Sequence, residues 1–241
     1  MQGIIVFTLF VILLLPISST AAETFEIDKI QQFENWAQQN DISIVGVNKN
    51  AYDLYYTGYY PETDKVDWKE IPGVLIAADA LYKIPKNVIQ VMNGKTIYFS
   101  TEHGRSYTVL NSFPDYNILV GLDRGIILEQ NINPHTVIHE IGHIVDYHGI
   151  QGIYNDEQQI FEKTLNEKIH IFNVTKNQQD SSSTGYVSSY AITNDAENFA
   201  ENFAYYVYFP KEFREKLKSD FSLIDEYEFM RDEIFEGYEF N

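Results

Sequence analysis

The stretch Asn133-Pro134-His135-Thr136-Val137-Ile138-His139-Glu140-Ile141-Gly142-His143-Ile144-Val145-Asp146 decides how the rest of the chain is read. Asn133 is a good N-cap, Pro134 suits the first helical position and Gly149 can close the far end, so the pattern predicts a helix over 134–148. Val137, Ile141, Ile144 and Val145 give it an apolar face. His139 and His143 fall within about 40° of each other on the opposite side. Two imidazoles so placed can point their nitrogens at one zinc ion. Glu140 lies about 100° further round, awkward for a ligand but within reach of a metal-activated water as its general base. Asp146 shares the histidine stripe and can accept the far ring N–H of a ligand histidine. His135 reads as a solvated first-turn residue. His103, His148 and His170 have no partner pattern.

A catalytic zinc keeps an open position and needs a third protein ligand. The richest source is Asn194-Asp195-Ala196-Glu197-Asn198-Phe199-Ala200-Glu201-Asn202-Phe203-Ala204. Its two glutamates are one turn apart beside aromatic residues, a costly arrangement unless a cation or hydrogen-bond donors satisfy them. Two readings of Glu197 stay open on spacing alone. It can be a metal ligand, or the third residue of a helix capped by Asn194.

The residues His139 to His143, Tyr190-Ala191-Ile192-Thr193-Asn194-Asp195-Ala196-Glu197 and Phe199 to Tyr206 together resemble the catalytic domain of anthrax lethal factor and its smaller secreted relatives, the Pro-Pro endopeptidases. Trp68 to Gly73 resembles a further stretch of that family, so the likeness runs from about residue 51 to 206. The resemblance implies a zincin-like α+β fold and one zinc ion per chain. It makes His139, His143 and Glu197 the ligands, and Glu201 an acid behind them. It makes Tyr190 the phenol that donates to the oxyanion, with Tyr186 in reserve. The residue before the glutamate ligand is acidic in the smaller relatives and is Ala196 here, which speaks against Pro-Pro preference.

Outward from this centre, the chain divides by pattern. Helical spacing is expected over 25–37, strands over 42–47, 96–100, 107–110, 118–121 and 125–128, and a helix near 86–92. Residues 51–73 are Tyr-rich and read as irregular. Asp123-Arg124-Gly125 makes the strands 118–121 and 125–128 a candidate hairpin. Helices follow over 134–148, 157–169, 196–209 and on to the C-terminus, with a polar loop over 175–184. Strands first and helices later predict an α+β domain with a small mixed sheet and a helical C-terminal half.

The apolar run Ile4 to Leu15 followed by Ser18-Ser19-Thr20-Ala21-Ala22 has the layout of a secretory signal over 1–22, leaving 23–241 as one metallopeptidase domain. A run this short makes a membrane anchor the poorer reading. No cysteine occurs among the 241 residues, which fits bacterial export without disulfides. Asn173-Val174-Thr175 is a glycosylation sequon without meaning in that setting. A net charge of −18 argues against nucleic acid as a partner. The expected function is a secreted, extracellular zinc endopeptidase acting on extended peptide or protein. The alternatives are a secreted zinc-binding module without catalysis and a toxin-type protease working inside host cells.

Overall fold

The computed structural model describes residues 19–110, 120–121, 123–151 and 185–241. The expected signal up to residue 18, the expected helix at 157–169, the polar loop at 175–184, the sequon and His170 lie outside these residues.

A mixed five-stranded sheet sits at the centre, ordered β3-β1-β4-β7-β5. Its strands are β1 (Ser43–Val47), β3 (Lys65–Val66), β4 (Thr96–Ser100), β5 (Tyr107–Val109) and β7 (Gly125–Leu128). Strand β4 is buried along its whole length. A strand covered on both faces reads as a continuous apolar run, and such strands pair in parallel. Accordingly β4 runs parallel to β1, with Ile44 opposite Ile97, and parallel to β7, with Phe99 opposite Leu128. Strand β5 closes the far edge antiparallel to β7.

Side chains alternate along the strands and so feed two cores. Ile97, Phe99, Ile126 and Leu128 face helices α1 (Ser19–Gln39), α3 (Val74–Leu81) and α5 (Pro134–Gln151), where the larger core also takes in Phe33, Leu81 and Ile141. Tyr98, Ile127 and Val109 face the other way onto Ala51 and Leu54 of helix α2 (Ala51–Thr57). Each fully buried side chain of this size contributes roughly 1.5–3 kcal/mol relative to exposure. That burial fixes the sheet, and with it the edge beside α5.

Several expectations change here. The candidate hairpin is not formed. Val120–Gly121, strand β6, pairs instead with Tyr59–Tyr60, strand β2, in a separate ladder, while β7 is held between β4 and β5. The Tyr-rich segment contains a helix, α2, capped by the Asn50 side chain on the Tyr52 N–H at 2.8 Å and closed by Gly58 in the left-handed conformation. Helix α3 was not anticipated, because its sequence Val-Leu-Ile-Ala-Ala-Asp-Ala-Leu is apolar nearly all round and shows no periodicity. The expected helix at 86–92 is a short α-helix, α4 (Lys86–Ile89), continued as a 3-10 turn. Helix α5 passes through Gly149 to Gln151 rather than closing there; a glycine ends a helix when it turns left-handed, as Gly58 does.

The helical second half comprises α6 (Asp195–Tyr208), α7 (Pro210–Ser219) and α8 (Ile224–Phe229). The chain is thus α+β with a small mixed sheet. Among the described residues no helix is long and apolar enough to cross a membrane.

Candidate metal centre

Helix α5 begins as the sequence implies. The Asn133 side chain accepts from the Thr136 N–H at 3.0 Å, which satisfies a backbone donor the helix itself leaves free. Val137, Ile138, Ile141, Ile144 and Val145 are buried in the large core, leaving His139, Glu140 and His143 to look towards α6 and β5.

Gly142 brings the second helix close. A Cβ on this residue would stand 2.9 Å from the Ala200 Cα of α6, nearer than carbon atoms approach. The two backbones therefore meet at a position where only glycine fits, and this contact sets Glu197 and Glu201 against the histidines. The start of α6 is fixed locally, since the Asn194 side chain accepts the Glu197 N–H at 3.0 Å. The two readings of Glu197 are compatible: its backbone is capped by Asn194 while its carboxylate turns towards the histidines.

That carboxylate meets both rings. Glu197 Oε2 lies 3.0 Å from His139 Nε2 and 3.2 Å from His143 Nε2. The three side chains present ligand atoms all within 4.8 Å of one another. Ligands bound at about 2.0–2.1 Å to one tetrahedral ion stand roughly 3.4 Å apart, so the donor set and its spacing fit zinc. His139 is gripped from behind as well, with Nδ1 at 2.8 Å from Glu201 Oε1. Burial alone would lower its pKa, but the hydrogen bonds to Glu197 and Glu201 outweigh it and push the ring up to about 9. Without metal, His139 is therefore an imidazolium donating from both nitrogens. With metal on Nε2, the Nδ1–H stays committed to Glu201, the usual arrangement behind a ligand histidine. Burial also works to raise Glu197, yet its bonds to His139 and His143 win and hold the carboxyl well below the ordinary range.

Glu201 is itself anchored. The Ser188 hydroxyl donates to its Oε2 at 2.5 Å, and the His135 Nε2 stands 3.5 Å from Oε1. His135 is therefore not the solvated residue expected: it packs against Tyr205 and Phe209, and burial lowers its pKa. Asp146 differs too. The far ring N–H of His139 goes to Glu201, and Asp146 Oδ1 is buried without a hydrogen-bond partner. His103 finds a partner after all, its Nδ1 lying 2.7 Å from the Asn131 side-chain nitrogen.

Glu140 opens onto the same cleft. Its Oε2 accepts from the Thr108 hydroxyl of edge strand β5 at 2.6 Å. Burial raises its pKa, against the opposing charges of His143 and His139. Tyr190 completes the site, its ring 5.6 Å from that of His139 and its surface 47% exposed. Burial and then the Glu197 charge raise the phenol, so it remains a protonated donor at neutral pH. His135, His139, Glu140, Tyr190 and Glu201 line a cleft of about 500 Å³.

Residues 115–232 match the family model described as anthrax toxin lethal factor, N- and C-terminal domain. The chain is lethal-factor-like over this stretch. The lethal-factor-like segment carries His139, Glu140, His143, Tyr190, Glu197 and Glu201. That family is one of zinc-dependent proteases, and the match, which spans just under half of the chain, supports a hydrolase at family level only. No curated protein matches the chain. Sequence reasoning missed Gly142, Thr108 and Ser188. The first could have been found as the small residue between two ligands, whereas the other two come from distant segments and left no local signal.

Proposed function

We propose that the chain is a secreted, zincin-like zinc endopeptidase, with residues 23–241 as its catalytic domain. The observation that carries the reading is the convergence of His139 Nε2, His143 Nε2 and Glu197 Oε2, with His139 lining the cleft that also holds Glu140 and Tyr190. Bound at these ligands, zinc supplies Lewis acidity to a water and to the scissile carbonyl. Glu140, buried and oriented by Thr108, takes the proton of the attacking water and returns it to the departing amine. Burial raises its pKa above that of an ordinary carboxylate, the direction that strengthens a general base. Tyr190 donates its hydroxyl where negative charge develops on the carbonyl oxygen. Glu201 and Ser188 keep His139 in the tautomer that presents Nε2 to the metal.

A module that uses metal only for stability would not need a buried carboxylate beside the ligands and turned into the cleft, so the catalytic reading is favoured. The deciding experiment offers purified protein a peptide library with and without chelator, and repeats it with Glu140→Gln. Chelator-sensitive cleavage by the parent, and its loss in a variant that keeps one zinc per chain by elemental analysis, are the expected results. Zinc retention with no cleavage of any peptide by the parent would leave a binding module in place of the enzyme.

A further inference from the structure

In a chain with 17 basic and 35 acidic residues, several described cations sit against carboxylates: Lys29 on Asp79, Lys65 on Glu62, Lys69 on Glu34, Lys218 on Glu215. Arg105 does not. It is exposed, no carboxylate of the described residues lies within ion-pairing distance of it, and among the described residues it is the only Lys or Arg lining the metal cleft. It belongs to the segment between β4 and β5, three residues before Thr108, whose hydroxyl holds Glu140. Arg105 and Tyr190 line the same cleft, and the guanidinium charge acts on the Tyr190 phenol and on Tyr107. Glu129, an acid of the same cleft wall, is turned to the Asn131 N–H at 2.9 Å and makes no ion pair with Arg105.

We infer that Arg105 is a specificity-determining residue that binds a peptide carboxylate flanking the scissile bond. A planar guanidinium offers two parallel N–H donors to a carboxylate. Away from the metal ligand His139, the carboxylates of the cleft wall, Glu129, Glu140 and Glu201, repel an anion, so Arg105 selects where along the cleft that anion rests. The carboxylate can be an internal Asp or Glu side chain or a free C-terminus; both present the same chemistry. This inference rests on the endopeptidase reading and names its substrate class.

The test compares matched peptides carrying Glu or Gln at positions flanking the cleaved bond, each with a free and an amidated C-terminus, on the parent, Arg105→Ala and Arg105→Glu proteins. The parent is expected to favour the carboxylate-bearing peptide about tenfold in kcat/KM, the lower range for a hydrogen bond to a charged group near solvent. The ratio should fall towards one in Arg105→Ala, reverse towards a Lys peptide in Arg105→Glu, and shrink with added salt. Equilibrium binding of the same peptides to a Glu140→Gln background should show the same preference and its loss without any turnover. Loss of the preference on amidation alone assigns the C-terminus, and its persistence assigns the side chain. An unchanged Glu-to-Gln ratio in Arg105→Ala overturns the subsite while cleavage itself upholds the enzyme. Absence of cleavage of every peptide overturns the enzyme reading and this inference with it.

Discussion

At the residue scale, the site depends on which atom each polar group faces. Tyr190 stands beside His139 and stays partly exposed, with its hydroxyl bonded to the Glu197 carboxylate, a position from which it can turn to a substrate oxygen once Glu197 is committed to the metal. Tyr190→Phe should therefore lower kcat by about 10²–10³ with zinc content unchanged, the range for losing one oxyanion donor; steady-state kinetics with metal analysis checks it. Asp146 shows the opposite situation, a buried carboxyl with an orphaned Oδ1. Burial raises its pKa to about 7, partly opposed by the His143 charge, from an ordinary 3.8. The folded state thus holds a proton that the unfolded chain has already lost, and stability drains away as pH climbs from about 4 to 7. Asp146→Asn removes that penalty. In metal-free protein the variant should gain melting temperature at pH 8 and gain nothing at pH 4, as thermal melts at the two pH values will read.

At the element scale, two helices and one edge strand make the cleft. Helix α5 was legible because its caps, apolar face and histidine pair are all local. The partner of that helix was legible only through its acidic pair, and the depth of its approach was not, since the contact of Gly142 with Ala200 depends on residues far apart in sequence. Gly142→Ala places a methyl group where the Ala200 backbone stands, and overpacking of this kind costs typically about 1–3 kcal/mol. The helices should part by a few tenths of an ångström, weakening zinc binding while far-UV circular dichroism stays native. Competition with a fluorescent zinc chelator measures the change, and an unaltered affinity would show that the helix spacing does not set the site. Strand β5 taught a different lesson. The expected hairpin placed an edge near Asp123, but β7 lies inside the sheet, and the edge beside Glu140 is Tyr107–Val109.

At the scale of the whole molecule, the metal would tie α5 to α6 across the larger core. A ligand held only by the folded state stabilises it, by about 2.7 kcal/mol at a hundredfold excess over its dissociation constant. The ion must also displace the proton that His139 keeps up to about 9, against an ordinary 6.5. In metal-free protein that raised pKa contributes stability fully below 6.5 and loses it as pH rises through 9. Zinc reverses the trend, because binding releases the proton and strengthens with pH. Melting curves from pH 5 to 9 with zinc and with chelator should converge in acid and separate steadily in base; parallel curves would show that no proton is exchanged. The sequence by itself determined the helix that presents His139 and His143, the carboxylate beside them, the mixture of strands and later helices, and the acidic surface, because caps, periodicity and composition are properties of neighbouring residues. The tertiary structure decided how these groups meet: Glu197 against both Nε2 atoms, Glu201 rather than Asp146 behind His139, Thr108 on Glu140 and Arg105 at the cleft. Those placements follow from strand order and from two backbones touching at Gly142, and such long-range packing leaves no trace in local spacing.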